Sequence, residues 1–392
     1  MNITFVLFYY LPEKPTQNYI YQPIIDGLLD LGHTVNIITP NPTRGISKAE
    51  QKKYRKIKYE KIGNLHIHRV NAFTYNPHKF SKLKLLFRYI SVSLKLPRKL
   101  KKVKSDVVFT QTNPPILMSY LVSRFTKRRK IKLVYNVQDL YPDNIFKPQS
   151  LLYKLTNPFQ VKTLNNADTV ITISETMKRT LLTKIKDESK IKVIYNFAIS
   201  EYISDDRKEE VRNRLNIRKD RFNVIYAGNI GYVQDLDVLL RAAELTKDND
   251  YINYHIVGEG SQAERIKCKI IDMNLDKVYF HPMQSPEDAV YLYHLADVNI
   301  ISILPKVIYT ALPLKVASCL EARKPIVFIG LEENNKEKWA KSEHIMTILT
   351  RNYKALANDL QKMSIEVTTP VNYEDSMFNR SSNICSYIQL IL

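Results

Sequence analysis

The sequence predicts an α/β fold of two doubly wound domains facing a cleft. Three observations carry that prediction. The chain has 392 residues, too many for one ordinary core and suited to two domains of roughly 200 each. Apolar runs alternate with helical segments, and the series runs to completion and then starts again. Only 9 glycines are present, about a third of the ~7% found on average, and four of them lie in two turns that each follow a strand.

The elements follow in order. Asn2 to Tyr9 is an unbroken apolar and aromatic run, as expected of a strand buried on both faces. A helix is predicted from Tyr19 to Leu31, with Gly32 at its C′ position, and a strand over Thr34–Thr39. Strands are then expected at Asp106–Thr110, Lys132–Val137, Thr169–Ile173 and Lys192–Tyr195, with helices at Ile116–Phe125 and Glu175–Leu182. The second set has strands at Asn223–Tyr226, Tyr254–Val257, Val278–Phe280, Val298–Ile303 and Pro325–Ile329. Its helices are Leu236–Leu245 and Gln262–Met273. The charged stretch Ser200–Arg221 places the linker near its start. We therefore expect Rossmann-like domains over 1–199 and 200–375, with a last helix in 376–392 packing back on the first domain. Ligands of such sheets sit beyond the carboxyl ends of the strands.

Composition excludes several classes. No apolar run reaches the ~18 residues of a spanning helix. Met1 to Pro12 lacks a basic start and a cleavage site, so no export signal is expected. Cys268, Cys319 and Cys385 are scattered and odd in number, which suits a reducing cytosol. The eight histidines form no HxxxH or HExxH pair. Asp235-Leu236-Asp237 and Asp248-Asn249-Asp250 formally fit DxD but read as a helix start and a loop, so no metal is expected.

Four patterns carry chemistry. Ala227-Gly228-Asn229-Ile230-Gly231 and Val257-Gly258-Glu259-Gly260 each follow a strand and precede a helix. Glycine there lets backbone approach a phosphate near a helix N-terminus; the same residues also make simple tight turns, and no GxGxxG is present. Pro313 to Pro325 reads as a helix feeding a strand, with Lys315 in its first turn, where a cation opposes the helix dipole. It either neutralises an anion or is a solvated surface lysine. Gln138-Asp139-Leu140-Tyr141-Pro142-Asp143 places two carboxylates at a strand's carboxyl end. Asp139 there either meets a substrate hydroxyl or makes an Asx-turn or cap. Finally, Lys79–Lys132 holds sixteen Lys and Arg against the single acid Asp106, a balance of +15 within a chain of net +20. Phe80, Leu83, Phe87, Ile90 and Leu94 recur there at helical spacing among Lys82, Lys84, Arg88 and Lys95, with the helix ending near Pro97. A second basic cluster is Arg124–Lys132. Anionic lipid ranks first as its partner and an ordinary solvated face second; nucleic acid ranks last and is not expected, since no motif for it accompanies the charge.

Taken in order, these motifs resemble the GT-B fold glycosyltransferases of family 4, in particular the WbuB-like branch that builds capsule and O-antigen repeats. The first half carries the resemblance in Phe8-Tyr9-Tyr10-Leu11-Pro12, Leu31-Gly32-His33-Thr34-Val35, Asp139 to Asp143 and Ile173-Ser174-Glu175-Thr176-Met177. The second carries it in Val193 to Asn196, Tyr226 to Gly231, Val257 to Gly260, Ala296-Asp297-Val298 and Pro313-Leu314-Lys315 leading to Lys324-Pro325-Ile326-Val327.

The resemblance implies a retaining, metal-independent transfer from a UDP-sugar held by the second domain to a polyprenyl-diphosphate-linked saccharide held by the first. The leaving phosphate would take the acceptor's proton, and the protein would stabilise charge growing on the diphosphate. It implies catalytic roles for Asp139 and Lys315. Donor contacts would come from Gly228, Asn229, Gly231, Gly258, Glu259, Lys315, Ser318 and Glu321. Acceptor contacts would come from Gln17, Asn18, Asp139 and Asp143. The enzyme would sit in the cytoplasm on the inner face of the plasma membrane, docked through Lys79–Lys132. The donor would carry an N-acetylated deoxy-amino sugar. Several family residues are replaced: Thr310 and Ser318 stand for a glutamate pair, Asn229 and Gln234 for an Arg and a Lys, Gln138 for a histidine, and Thr16-Gln17-Asn18 for a glycine-rich loop. Lys315, helped by backbone N–H groups of Gly228 to Gly231, is then the expected diphosphate cation. Two other functions fit the same fold: a nucleotide-sugar epimerase, and a non-catalytic nucleotide-sugar-binding or membrane-binding protein.

Overall fold

The computed structural model describes residues 1–13, 16–43, 45–73, 82–112, 116–199, 203–331, 340, 345–348, 352–365 and 377–392. The chain divides into two compact units. The first comprises Met1–Asn196 with Tyr309–Leu312 and Asn379–Leu392, and the second Phe197–Ile308 with Pro313–Phe378. The boundary thus falls between Asn196 and Phe197; Ser200 itself lies outside the described residues.

In the first unit the elements are β1 (Asn2–Val6), α1 (Thr16–Asp30), β2 (Thr34–Pro40), α2 (Lys48–Lys56), β3 (Tyr59–Ile62), β4 (Leu65–Val70), α3 (Lys82–Leu100), β5 (Val107–Gln111), α4 (Ile116–Arg129), β6 (Lys132–Val137), α5 (Leu151–Asn166), β7 (Thr169–Thr172), α6 (Glu175–Leu182) and β8 (Ile191–Val193). They build one sheet in the order β3-β4-β2-β1-β5-β6-β7-β8. Every pairing is parallel except β3 with β4. The central strands are buried on both faces, as their unbroken Val, Ile and Phe runs require. Serine caps start several helices; Ser174 Oγ accepts from the Met177 N–H at 3.0 Å and starts α6.

Three local expectations change. The β3–β4 hairpin was not expected from the sequence, because its alternating Leu65-His66-Ile67-His68-Arg69-Val70 is only half apolar. Gly63 turns it at φ +55°, and the charged β3 forms the sheet's edge. The first strand stops at Val6 rather than Tyr9, although the Leu7 N–H still bonds the Ile38 carbonyl at 3.0 Å. And α3 continues through Pro97 to Leu100. Leu96, Pro97 and Leu100 are all buried, so packing offsets the hydrogen bond that proline removes.

The second unit contains α7 (Asp205–Arg214), β9 (Phe222–Ala227), α8 (Asp237–Leu245), β10 (Ile252–Val257), α9 (Ala263–Asp272), β11 (Val278–His281), α10 (Pro286–Leu295), β12 (Val298–Ser302), α11 (Lys315–Glu321), β13 (Ile326–Ile329), β14 (Ile345–Ile348) and α12 (Tyr353–Ile365). Its sheet is wholly parallel in the order β11-β10-β9-β12-β13-β14. The last helix, α13 (Arg380–Ile391), belongs to the first unit and lies on α1. Gly27 lets it approach: a Cβ there would stand 2.7 Å from Ile388 Cδ1. Each sheet has one point where the strand order reverses, between β1 and β5 in the first and between β9 and β12 in the second. Those two crevices are where ligands of open α/β sheets bind.

Candidate active site

In the second unit, the sequence-predicted turns follow β9 and β10 at the reversal point, as strand–turn–helix connections. They are packed against each other through backbone. A Cβ on Gly258 would fall 1.9 Å from the Gly228 carbonyl oxygen, and one on Gly260 would fall 2.2 Å from that of Ile230. These glycines are therefore required by turn-on-turn packing, whatever else they touch.

Three of the four backbone donors expected of Gly228 to Gly231 are already paired. The Gly228 N–H bonds the Val257 carbonyl at 2.9 Å, the Ile230 N–H bonds that of Glu259 at 2.8 Å, and the Gly231 N–H bonds Gln234 Oε1 at 3.0 Å. The Asn229 side chain also donates to Gln234 Oε1, at 3.1 Å. Gln234, at the position of the family's lysine, thus closes the turn from inside. Asn229 and Glu259 are exposed, while Ser318 is buried within α11 and Glu321 is half-buried at its end.

Lys315 is where the charge lies. Its helix folds back so that Nζ sits 3.2 Å from the Ala227 carbonyl, at the tip of β9, and 3.7 Å above the Tyr226 ring. A Cβ on Gly228 would stand 3.2 Å from that same Nζ, so the glycine leaves room for the ammonium group. The Tyr226 hydroxyl donates to the Asn229 carbonyl and fixes the ring beneath the cation. Burial pushes the Lys315 ammonium down to about 8, and no described carboxylate pairs with it. A desolvated cation facing a π-face and one carbonyl is electrostatically under-compensated. This excludes the solvated-surface reading of Lys315. Tyr226 was quoted from the sequence only as a strand end and as the first residue of the Tyr226 to Gly231 motif, with no role; its signal was an aromatic residue just before the glycine turn.

The first unit gathers polar groups beyond the carboxyl ends of β5 and β6, beside its own reversal point. Asp139 follows β6, and burial raises its carboxyl from 3.8 to about 6. Thr112 Oγ1 accepts from the backbone N–H groups of Gln138 (3.1 Å) and Asp139 (3.3 Å). Ala311 bridges to Asp139, and the Leu140 N–H bonds the Thr310 carbonyl at 2.7 Å. Asp139 is thus held as an extended residue, not as a helix cap. Asn18 donates to the Glu13 carbonyl at 2.8 Å, but its Oδ1 is buried without a partner. Gln17 Oε1 accepts from Gln111 Nε2 at 3.4 Å, and Gln111 Oε1 is likewise buried and unpartnered. Such orphan acceptors each cost about 1–3 kcal/mol and suit hydroxyl donors of a ligand. Gln111, the last residue of β5, was missed because a glutamine ending a strand has no distinguishing pattern.

Asp143 is placed otherwise than expected. Its carboxylate accepts from Lys184 Nζ at 2.6 Å and from the Tyr153 hydroxyl at 3.1 Å, an arrangement that ties α5 to the segment just after α6. The DxD candidates are also committed: Asp237 to Arg265 and Lys269, and Asp250 to Lys277. Among the described residues no group of three or more His, Cys, Asp or Glu is set to hold a metal ion.

Two Rossmann-like α/β units, with sheets parallel except at β3–β4, make up the GT-B fold, which solved structures of similar topology share. Residues 21–200 match Glycosyltransferase Family 4, and residues 207–366 match Glycosyl transferases group 1. The two halves of the chain thus match, in order, two domain models of glycosyltransferases. It is 22% identical over 250 residues to the probable glycosyltransferase WbjE of Pseudomonas aeruginosa, covering 62% of each chain. It is 26% identical over 151 residues to WcaI of Escherichia coli, named as a colanic acid biosynthesis glycosyl transferase, covering 38% of this chain and 37% of that one. The aligned region thus spans less than two thirds of either relative. Among solved structures, HepE of Anabaena in complex with UDP matches with a TM-score of 0.65 at 14% identity, over all of this chain and 95% of that one. The same protein has been solved with UDP-glucose.

Proposed function

We propose that the chain transfers a sugar from a UDP-sugar to a polyprenyl-diphosphate-linked saccharide, with retention and without a metal, in bacterial capsule or O-antigen synthesis. The observation that carries this is Lys315: a partly buried cation with no carboxylate partner among the described residues, at the reversal point of the second sheet. A diphosphate supplies the missing anion. As the sugar–phosphate bond breaks, charge grows on the departing UDP, and Lys315 stabilises it. The acceptor oxygen bonds to the anomeric carbon on the same face, and its proton passes to a leaving-phosphate oxygen. Asp139, with the orphan acceptors of Asn18 and Gln111, binds acceptor hydroxyls. The UDP complexes of HepE support the nucleotide, and the relatives of polysaccharide pathways support the setting. The branch resembling WbuB supports an N-acetylated deoxy-amino sugar as the group transferred.

Docking would be at the anionic inner face of the plasma membrane, through α3 and its charges. No described helix is long and apolar enough to cross a membrane. Incubation with a panel of UDP-sugars, with and without the lipid-linked acceptor and with EDTA, tests the reading. We expect acceptor-dependent UDP release and an α-linked or β-linked product matching the donor anomer by NMR. Epimer formed from donor alone would instead mark an epimerase, and nucleotide binding without transfer a binding protein.

A further inference from the structure

In the first unit, a groove of about 640 Å³ opens between the segments that follow β2 and β4, the end of α2, and the outer face of α3. Its lining joins two kinds of chemistry. Phe73, Phe87 and Ile90 make an apolar lane, while Arg55 and Lys95 bring two cations. No described lining residue is acidic. Asn41 lines it too. It is 1% exposed, yet neither its side-chain nitrogen nor its oxygen has a partner among the described residues. The groove is rigidly framed: fully buried Arg88 donates to the Asn41 carbonyl and to the Phe73 carbonyl, both at 3.1 Å, and Ser91 Oγ accepts from the Phe73 N–H at 3.2 Å. Lys95 Nζ donates to the Asn71 carbonyl at 2.6 Å, which uses one of its three donors. On α3 the lane continues outward into Leu83 and Leu86, which are 62% and 52% exposed.

We propose that this groove seats the phosphate end and first isoprene unit of the lipid-linked acceptor, a proposal that rests on the transfer reading above. An isoprenyl diphosphate is the molecule whose two parts match the two linings. Its phosphate oxygens accept from Lys95, Arg55 and the idle Asn41 amide; its branched hydrocarbon lies along Phe73, Phe87 and Ile90. A volume of this order suits such an end group, since small-molecule sites run from about 300 to 1,000 Å³. The tail then leaves along the exposed apolar face of α3 toward lipid.

The test uses the full chain and farnesyl diphosphate as the probe, in titration calorimetry, with inorganic diphosphate and farnesol as controls. We expect farnesyl diphosphate to bind at least about tenfold more tightly than either control. Phe87→Ser and Lys95→Gln should each weaken it by about tenfold, while UDP affinity and the unfolding midpoint stay unchanged. Binding should survive Lys315→Ala and excess UDP. Equal affinity for inorganic diphosphate would mean a phosphate site without lipid recognition, and equal affinity for farnesol a merely greasy groove; either overturns the proposal. So does competition by UDP, which would put the probe in the donor site. Wild-type transfer to a lipid-linked acceptor by Phe87→Ser with Lys95→Gln would sink the groove alone and leave the transferase reading intact. Farnesyl diphosphate binding without any transfer would do the reverse.

Discussion

Two side chains carry most of the proposed chemistry, and both are charged groups kept partly out of water. Burial lowers the Lys315 ammonium to about 8, and an anion beside it favours the protonated form. UDP affinity should therefore be full at pH 6–7 and fall as pH rises through about 8. In Lys315→Ala the profile should be flat over that range, with turnover reduced by about 10²–10³. A wild-type slope persisting in the folded variant would remove Lys315 from the diphosphate. Asp139 moves in the opposite sense, from 3.8 to about 6, because burial disfavours its carboxylate. A raised carboxyl stabilises the fold below its unfolded value and loses that contribution as pH rises through the folded one. Asp139→Asn should hence gain stability at pH 8 but not at pH 4, by at most about 3 kcal/mol, since each tenfold change in proton affinity is worth about 1.4 kcal/mol. Transfer should drop by about 10²-fold or more while UDP affinity holds. Urea titrations at the two pH values, run beside the assay, check both halves.

At the scale of elements, α3 shows how packing sorts one helix's residues. Arg88, counted from the sequence among the cations interleaved with its apolar stripe, is 1% exposed and bonded to two carbonyls. The apolar residues at helical spacing turn outward: Leu83, Phe87, Ile90 and Leu94 are 62%, 52%, 44% and 39% exposed. Val92, Leu96 and Leu100 make its buried side instead. Lys79 and Phe80, the start of that stretch, lie outside the described residues. An exposed apolar stripe beside Lys84, Lys95, Arg98 and the lysines that follow is suited to a lipid surface, where each basic residue is worth about 1 kcal/mol. Changing Lys95, Arg98, Lys99, Lys101 and Lys102 to glutamine should weaken binding to phosphatidylglycerol vesicles by at least about tenfold. Wild-type binding should also fall from 0.1 to about 1 M salt, as the Debye length shrinks from ~10 to ~3 Å. Equal binding to neutral and anionic vesicles in cosedimentation would refute electrostatic docking. The glycine turns carry the complementary lesson. They were legible as special positions, yet the N–H groups of Gly228, Ile230 and Gly231 are spent on Val257, Glu259 and Gln234, which is why the proposed diphosphate contact is given to a side chain.

For the whole molecule, the division into two units assigns each proposed ligand its own sheet. Nucleotide should stabilise the second unit selectively, by about 2.7 kcal/mol at a hundred times its dissociation constant. Hydrogen exchange with saturating UDP should show its largest protection after β9 and β10 and around Lys315. Protection confined to Met1–Asn196 would reverse the assignment of donor and acceptor units.

What the sequence determined by itself is most of the parallel strands, with the β3–β4 hairpin and β14 missing, together with the restart that makes two sheets and the places where turns meet carboxyl ends. These follow from the period of apolar residues and from glycine, which are local properties. Lys315 and Asp139 were legible as candidates for the same reason: each sits a few residues from a strand or helix end. Only the tertiary structure decided which charges lose water. Desolvation depends on neighbours far along the chain: Lys315 on Ala227 and Tyr226, Arg88 on Asn41, Asp143 on Lys184. No periodicity records those pairings, nor the unmatched amide oxygen of Gln111 and the unmatched amide of Asn41. An unsatisfied polar atom is defined by the absence of a partner in space, and space is what folding adds.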